Sequence, residues 1–222
     1  KEYYNKTLLY KGEPMAIGKA TTVYQTQEAK GTKETYYKEA QKVDYSKYSA
    51  DDLMQIPFEE AKLNQESIDK RYQELADDGN IKPRHAVGLL ALKGALNFSG
   101  NSSIDKAYYQ TLQSSPKENL GLVTYEFQMN FQGFAQGEDI SPTFMKDGRS
   151  GNGSYLLNKN QATSVDFDAF INSAIASFEK NLTKAKSSNA ENSVQNQYQG
   201  IVDFYKTFQD NFNKATKEPY YA

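Results

Sequence analysis

Residues 121–134 read GLVTYEFQMNFQGF, and this stretch decides the fold that the sequence predicts. From Val123 onward, apolar side chains alternate with polar ones. This is the period of a β-strand with one buried face and one exposed face. Glu126 falls on the predicted exposed face. Each large apolar side chain contributes roughly 1.5–3 kcal/mol when it is removed from water. The predicted buried face consists of Val123, Tyr125, Phe127, Met129 and Phe131.

Most of the remaining chain has the periodicity and the end signals of helices. Ser49 followed by two aspartates, and Asp166 before an apolar run, are typical helix N-caps. The segment 32–43 contains good helix formers and a Glu34–Lys38 pair of favourable order. The predicted helices are 32–43, 49–55, 57–76, 83–96, 104–112, 166–186 and 190–216.

These patterns predict an α+β fold. We expect a mostly helical single domain over residues 1–222, with a small antiparallel sheet around residues 121–134. An all-α bundle is the alternative. Glycines and polar residues predict a flexible loop at 138–153, and the last residues, 217–222, a frayed C-terminal tail.

The helix predicted at 83–96 is apolar around most of its circumference, because Leu89, Leu92 and Leu96 widen the stripe formed by its other apolar residues. A helix with this pattern is typical of a central position in a protein. We therefore expect it to pack across the apolar face of the alternating stretch.

Composition excludes several classes of function. The net charge is −2 with acids and bases interspersed, so no basic surface for nucleic acid is predicted. No apolar run approaches the roughly 20 residues of a transmembrane helix. Cysteine is absent, whereas 17 tyrosines and 12 phenylalanines indicate a folded chain despite a mean hydropathy of −0.79. The polar bias is typical of an extracellular or cell-envelope protein.

The sequence provides no catalytic constellation, and we predict no metal site and no cofactor. His85 is the only histidine, at a predicted helix start, where a surface or capping role outweighs a catalytic one. Asp77-Asp78-Gly79-Asn80 lacks the spacing of a calcium loop and is better explained as a helix-ending turn. The glycine-rich segment around Arg149 matches no phosphate-binding motif, although it suits a partner-binding loop.

Tyrosines near both ends of the chain are candidate contact residues, because tyrosine combines a large contact area with a polar group. With the glycine-rich loop and the residue that follows it, the predicted binding residues are Tyr3, Tyr4, Tyr10, Arg149, Tyr155, Tyr220 and Tyr221.

The leading functional hypothesis is a non-catalytic protein that works by binding a protein partner or by self-assembly. An uncovered edge of the predicted strand would pair with another chain, and the tyrosine-rich segments would add contacts. One alternative is a secreted or envelope hydrolase that uses two carboxylates. Another is a small-ligand carrier with an aromatic-lined pocket.

Overall fold

The computed structural model describes residues 22–29, 32–39, 43–142 and 165–217. The chain divides into two compact units, Lys1–Asp44 and Tyr45–Ala222, and each unit is described by itself. The single domain expected over residues 1–222 stays a prediction.

The first unit contains a two-stranded antiparallel hairpin. Strand β1, Thr22–Ala29, pairs with strand β2, Thr32–Glu39, from Thr22 opposite Glu39 to Ala29 opposite Thr32. The helix predicted from residue 32 is therefore wrong over β2. Threonine and tyrosine favour extended backbone, and the backbone pairing with β1 outweighs one favourable Glu–Lys spacing.

Every regular element among the described residues of the second unit is helical. A 3₁₀ turn, Tyr45–Lys47, comes first. The helices that follow are α1 Ala50–Met54, α2 Phe58–Leu63, α3 Gln65–Asp77, α4 Pro83–Ala95, α5 Ser102–Ser114, α6 Leu120–Ala135, α7 Phe167–Ser187 and α8 Asn192–Lys217.

Local end signals located several of these helices correctly. The predicted cap at Ser49 is confirmed, since its side chain accepts a hydrogen bond from the Asp52 amide in a capping box. Asp166 caps α7 through the Ala169 amide. The helix predicted over 57–76 divides at Asn64, where the backbone leaves the helical region between α2 and α3.

The predicted strand at 121–134 is wrong, and so is the α+β fold class. Helix α6 spans this stretch, and the all-α alternative describes the unit that contains it. Its buried residues follow helical spacing: Leu120, Val123, Glu126, Phe127, Asn130 and Phe131. Tyr125, which a strand would bury beside Phe127, is 43% exposed. Few of these residues are β-branched, so packing could impose the helical period on an alternating sequence.

Aromatic packing around α6 forms the centre of the core. The Phe127 ring is fully buried and stacks on Tyr108 of α5 at a centroid distance of 4.3 Å. It also meets Phe170 of α7 at 5.6 Å and Phe208 of α8 at 5.1 Å. One side chain therefore joins α6 to three other helices.

The two faces of α6 provide a direct test of the corrected assignment. Replacing Phe127 with Ala should lower the free energy of unfolding by about 3–5 kcal/mol, because a fully buried ring is removed. Tyr125→Ala is the matched control and should lower it by less than about 1 kcal/mol. Urea unfolding of both variants checks this. Equal losses would indicate that both rings share one buried face, as in a strand.

Candidate functional site

Helices α3 and α4 form an αα-hairpin at one side of the helical unit. Each has 13 residues, and residues 78–82 connect them. Lys93 Nζ lies 2.7 Å from Asp69 Oδ2, so an ion pair joins the helices far from their connection. The short connection and this contact indicate that the two helices run in opposite directions, with the ion pair spanning the space between them.

An apolar groove lies between the two helices. Its volume is about 60 Å³. Ile68 and Tyr72 of α3 line it but are only half-buried, and Leu75 is the buried residue of that helix. The apolar side of α3 is therefore incompletely covered by the rest of the unit. The lining residues are Leu53, Ala61, Gln65, Ile68, Asp69, Tyr72, Leu89, Leu90, Leu92, Lys93, Leu96 and Tyr109.

Helix α4 does not have the fully central position expected from its sequence. Its inner face is buried, and a Cβ at Gly88 would lie 2.5 Å from Met54 Cε, so α4 approaches α1 closely. Its outer face is open to solvent: Leu90 is 56% exposed and Val87 is 44% exposed. Helix α4 therefore carries apolar residues on both faces, but the rest of the unit covers only its inner face.

The histidine lies where α4 meets α1. His85 is buried, and its Nε2 atom is 3.6 Å from Asp51 Oδ1. Lys117 also pairs with Asp51, and this hydrogen bond holds the pKa of the Asp51 carboxyl below its ordinary value. Within the described ranges, neither ring nitrogen of His85 has a hydrogen-bond partner. The expected surface or capping position for His85 is wrong, and the residue packs inside the α1–α4 junction.

Among the described residues of this unit, Asp105 and Glu126 are buried carboxylates away from the hairpin. Asp105 accepts hydrogen bonds from the Ser99 amide at 2.7 Å and the Ser99 hydroxyl at 2.8 Å. Burial raises the pKa of Asp105, and the Ser99 hydrogen bonds oppose that rise. Asp105 therefore closes the connection between α4 and α5.

Glu126 is fully buried, which corrects its predicted place on an exposed strand face. Asn130 Nδ2 donates to Glu126 Oε2 at 3.2 Å, and the Ser141 amide donates to Asn130 Oδ1 at 3.0 Å. Burial, followed by the charge of Glu126, raises the pKa of Tyr205 well above its ordinary value. The hydrogen bonds of Asn130 therefore hold the segment that follows α6 against the core.

The predicted binding residues are not among those that the structure describes. Within the predicted loop at 138–153, residues 138–142 are described, and Ser177 donates a hydrogen bond to the Ile140 carbonyl. Of the predicted tail, Lys217 ends α8 and the rest is outside the described ranges. The binding residues outside those ranges are Tyr3, Tyr4, Tyr10, Arg149, Tyr155, Tyr220 and Tyr221.

Comparison with known proteins identifies no relative: no family model, no curated protein and no solved structure matches this chain. Among the described residues, no three His, Asp or Glu side chains are grouped as a metal site would require. Across the same ranges, no helix combines the length and apolar character needed to cross a bilayer.

Sequence reasoning missed the groove between α3 and α4. The available signal was the conflict between an α4 sequence that is apolar all round and the polar α3 that precedes it, which has too few large apolar residues to cover it. Ile68 and Tyr72 have helical spacing, but the sequence does not reveal that both side chains are only half-buried.

Substitutions at Asp105 test the role of its buried hydrogen bonds with Ser99. Asp105→Asn keeps an acceptor oxygen for Ser99 and removes the buried charge, so stability at pH 7 should equal or exceed that of the wild type. Because the folded pKa is raised, the contribution of Asp105 is fully present below its ordinary pKa of about 3.9 and is lost as pH rises through the folded value. The advantage of the Asn variant should therefore disappear in acid.

Asp105→Ala is the comparison variant. It leaves the buried Ser99 amide and hydroxyl without their acceptor, so unfolding should become easier by about 1–3 kcal/mol. Thermal unfolding from acid to neutral pH measures both variants. A pH-independent difference between Asp105→Asn and the wild type would contradict the role of the buried charge.

Proposed function

We propose that this protein is a non-catalytic binding protein whose contact surface is the α3–α4 hairpin. The observation that supports it is the apolar outer face of α4, with Leu90 and Val87 exposed beside a groove of apolar side chains. Burying a large aliphatic side chain completely is worth roughly 1.5–3 kcal/mol, so covering this surface would favour association. Contiguous apolar surface of this kind is typical of protein contact sites.

The size of the groove favours an anchoring side chain over an enclosed small molecule. Small-molecule pockets typically have volumes of roughly 300–1,000 Å³. The groove volume of about 60 Å³ is far below that range. A partner that inserts one aliphatic side chain while covering Leu90 would use both features.

The hydrolase alternative receives less support from the buried carboxylates. Asp105 is engaged by Ser99, and Glu126 receives a hydrogen bond from Asn130. Both carboxylates therefore have partners within the protein that fit a structural role. Association through a strand edge at residues 121–134 is withdrawn, since that stretch is helix α6. Contacts through the tyrosine-rich ends of the chain stay a prediction.

An extracellular or cell-envelope location remains part of this proposal and is supported by the polar bias of the composition. Fractionation of cells that express the native gene tests it. Recovery of the protein in the cytoplasmic fraction alone would contradict it.

Selection from a random peptide display library tests the groove. We expect the full chain to enrich peptides that share an aliphatic anchor. Leu90→Lys should weaken their binding by at least about tenfold, because a charged side chain replaces an apolar wall of the groove. Fluorescence anisotropy with the labelled peptides gives the dissociation constants.

Leu63→Lys is the matched control for this measurement. Leu63 is 46% exposed on α2 and does not line the groove, so its replacement should change binding by less than about twofold. Circular dichroism checks that both variants keep their helix content. Peptides that bind the two variants and the wild type equally would contradict the proposed surface.

A further inference from the structure

We propose that the partner of the α3–α4 hairpin is a second copy of this chain. In this arrangement two hairpins pack groove to groove and form a four-helix bundle about a twofold axis that runs along the groove. The inference rests on the proposed function, since it uses the same surface, and it goes further by naming the occupant and its orientation.

The two helices of the hairpin carry opposite charges. Helix α3 and the residue after it contain five acids and two bases, Glu66, Asp69, Glu74, Asp77 and Asp78 against Lys70 and Arg71. Helix α4 and the residue before it contain Lys82, Arg84 and Lys93 and no acid. The α3 side of the hairpin is therefore acidic and the α4 side basic, and of these charges only the paired Asp69 and Lys93 line the groove itself.

In a twofold contact, the hairpin surface of one copy faces the same surface of the other. The acidic and basic sides must therefore complement each other across the axis. An axis along the groove places the acidic α3 of each copy opposite the basic α4 of the other, so both pairs attract. An axis across the groove would place α3 against α3 and α4 against α4, and like charges would repel. Charge complementarity therefore selects the first arrangement and makes the surface self-complementary.

The same axis also aligns the charges along the helices. Rotation about an axis parallel to the groove keeps every residue at its own height along the groove. Asp77 and Asp78, at the end of α3, therefore come level with Lys82 and Arg84 at the start of α4 in the other copy. All four residues are exposed in the single chain.

The apolar contacts fit this arrangement. Leu90, Ile68 and Tyr72 lie along the groove and are exposed or half-buried in one copy. Facing hairpins would enclose them between four helices, which is the core position of a helix bundle. The ion pair between Lys93 and Asp69 leaves the middle of the groove without an uncompensated charge, so two copies can approach there.

Sedimentation equilibrium of the full chain tests the association. We expect a monomer–dimer equilibrium that weakens at least about tenfold between about 0.05 M and 0.5 M salt, because the facing charges are exposed. Leu90→Lys should give a monomer, and Leu63→Lys should dimerise like the wild type.

A charge-swap pair tests the orientation. One variant combines Asp77→Lys with Asp78→Lys, and the other combines Lys82→Glu with Arg84→Glu. Each substitution places a charge that suits its helix end, which protects the fold. Each variant alone should be monomeric, since like charges then face each other. An equimolar mixture should form a heterodimer, because each altered helix then meets its opposite.

Three results would overturn the inference. They are a chain that stays monomeric at all concentrations, a dimer that survives Leu90→Lys, and a mixture of the two charge variants that does not associate. A monomer that still binds anchor peptides through Leu90 would overturn the second copy as occupant and leave the proposed function standing. A monomer that binds no such peptide would overturn both.

Discussion

The helical unit depends on the packing of one phenylalanine ring. Phe127 lies on α6 and contacts rings from α5, α7 and α8, with Tyr108 stacked against it at 4.3 Å. Flat rings fill the space between helices only when the helices hold them at fixed angles and distances. The positions of four helices are therefore coupled through this contact, and the helical period of α6 keeps Phe127 and Phe131 in the core while Tyr125 lies at the surface.

The central place of α6 determines what happens to its neighbours. The rings of α6 meet rings from α5, α7 and α8, while α4 packs against α6 with its inner face and keeps its own outer face in water. Helix α3 packs on α1 and α2 and covers α4 incompletely. The exposed groove is thus a consequence of how the core is filled. Its apolar surface lies between an acidic helix and a basic one, and charge of opposite sign on two sides favours a specific orientation of any partner.

Polar groups inside the unit reinforce the connections between helices. Asp105 binds Ser99 and closes the segment between α4 and α5. Asn130 contacts both Glu126 and the Ser141 amide, so it joins α6 to the segment that follows it. Both groups place carboxylates in the interior, where hydrogen bonds must replace the water that burial removes. These contacts explain acidic residues that would otherwise suggest catalysis.

Local signals in the chain are enough to locate the ends of most helices in the second unit. Capping by Ser49 and Asp166 and the turn after Asp77 depend on residues that are neighbours in the chain. The helix at residues 121–134, by contrast, depends on packing between distant parts of the chain, since the alternation there is compatible with a strand until the surrounding rings select one face. The same packing decides that Glu126 is buried and Leu90 exposed. Burial depends on which distant helices supply cover, and no local pattern in the chain contains that information.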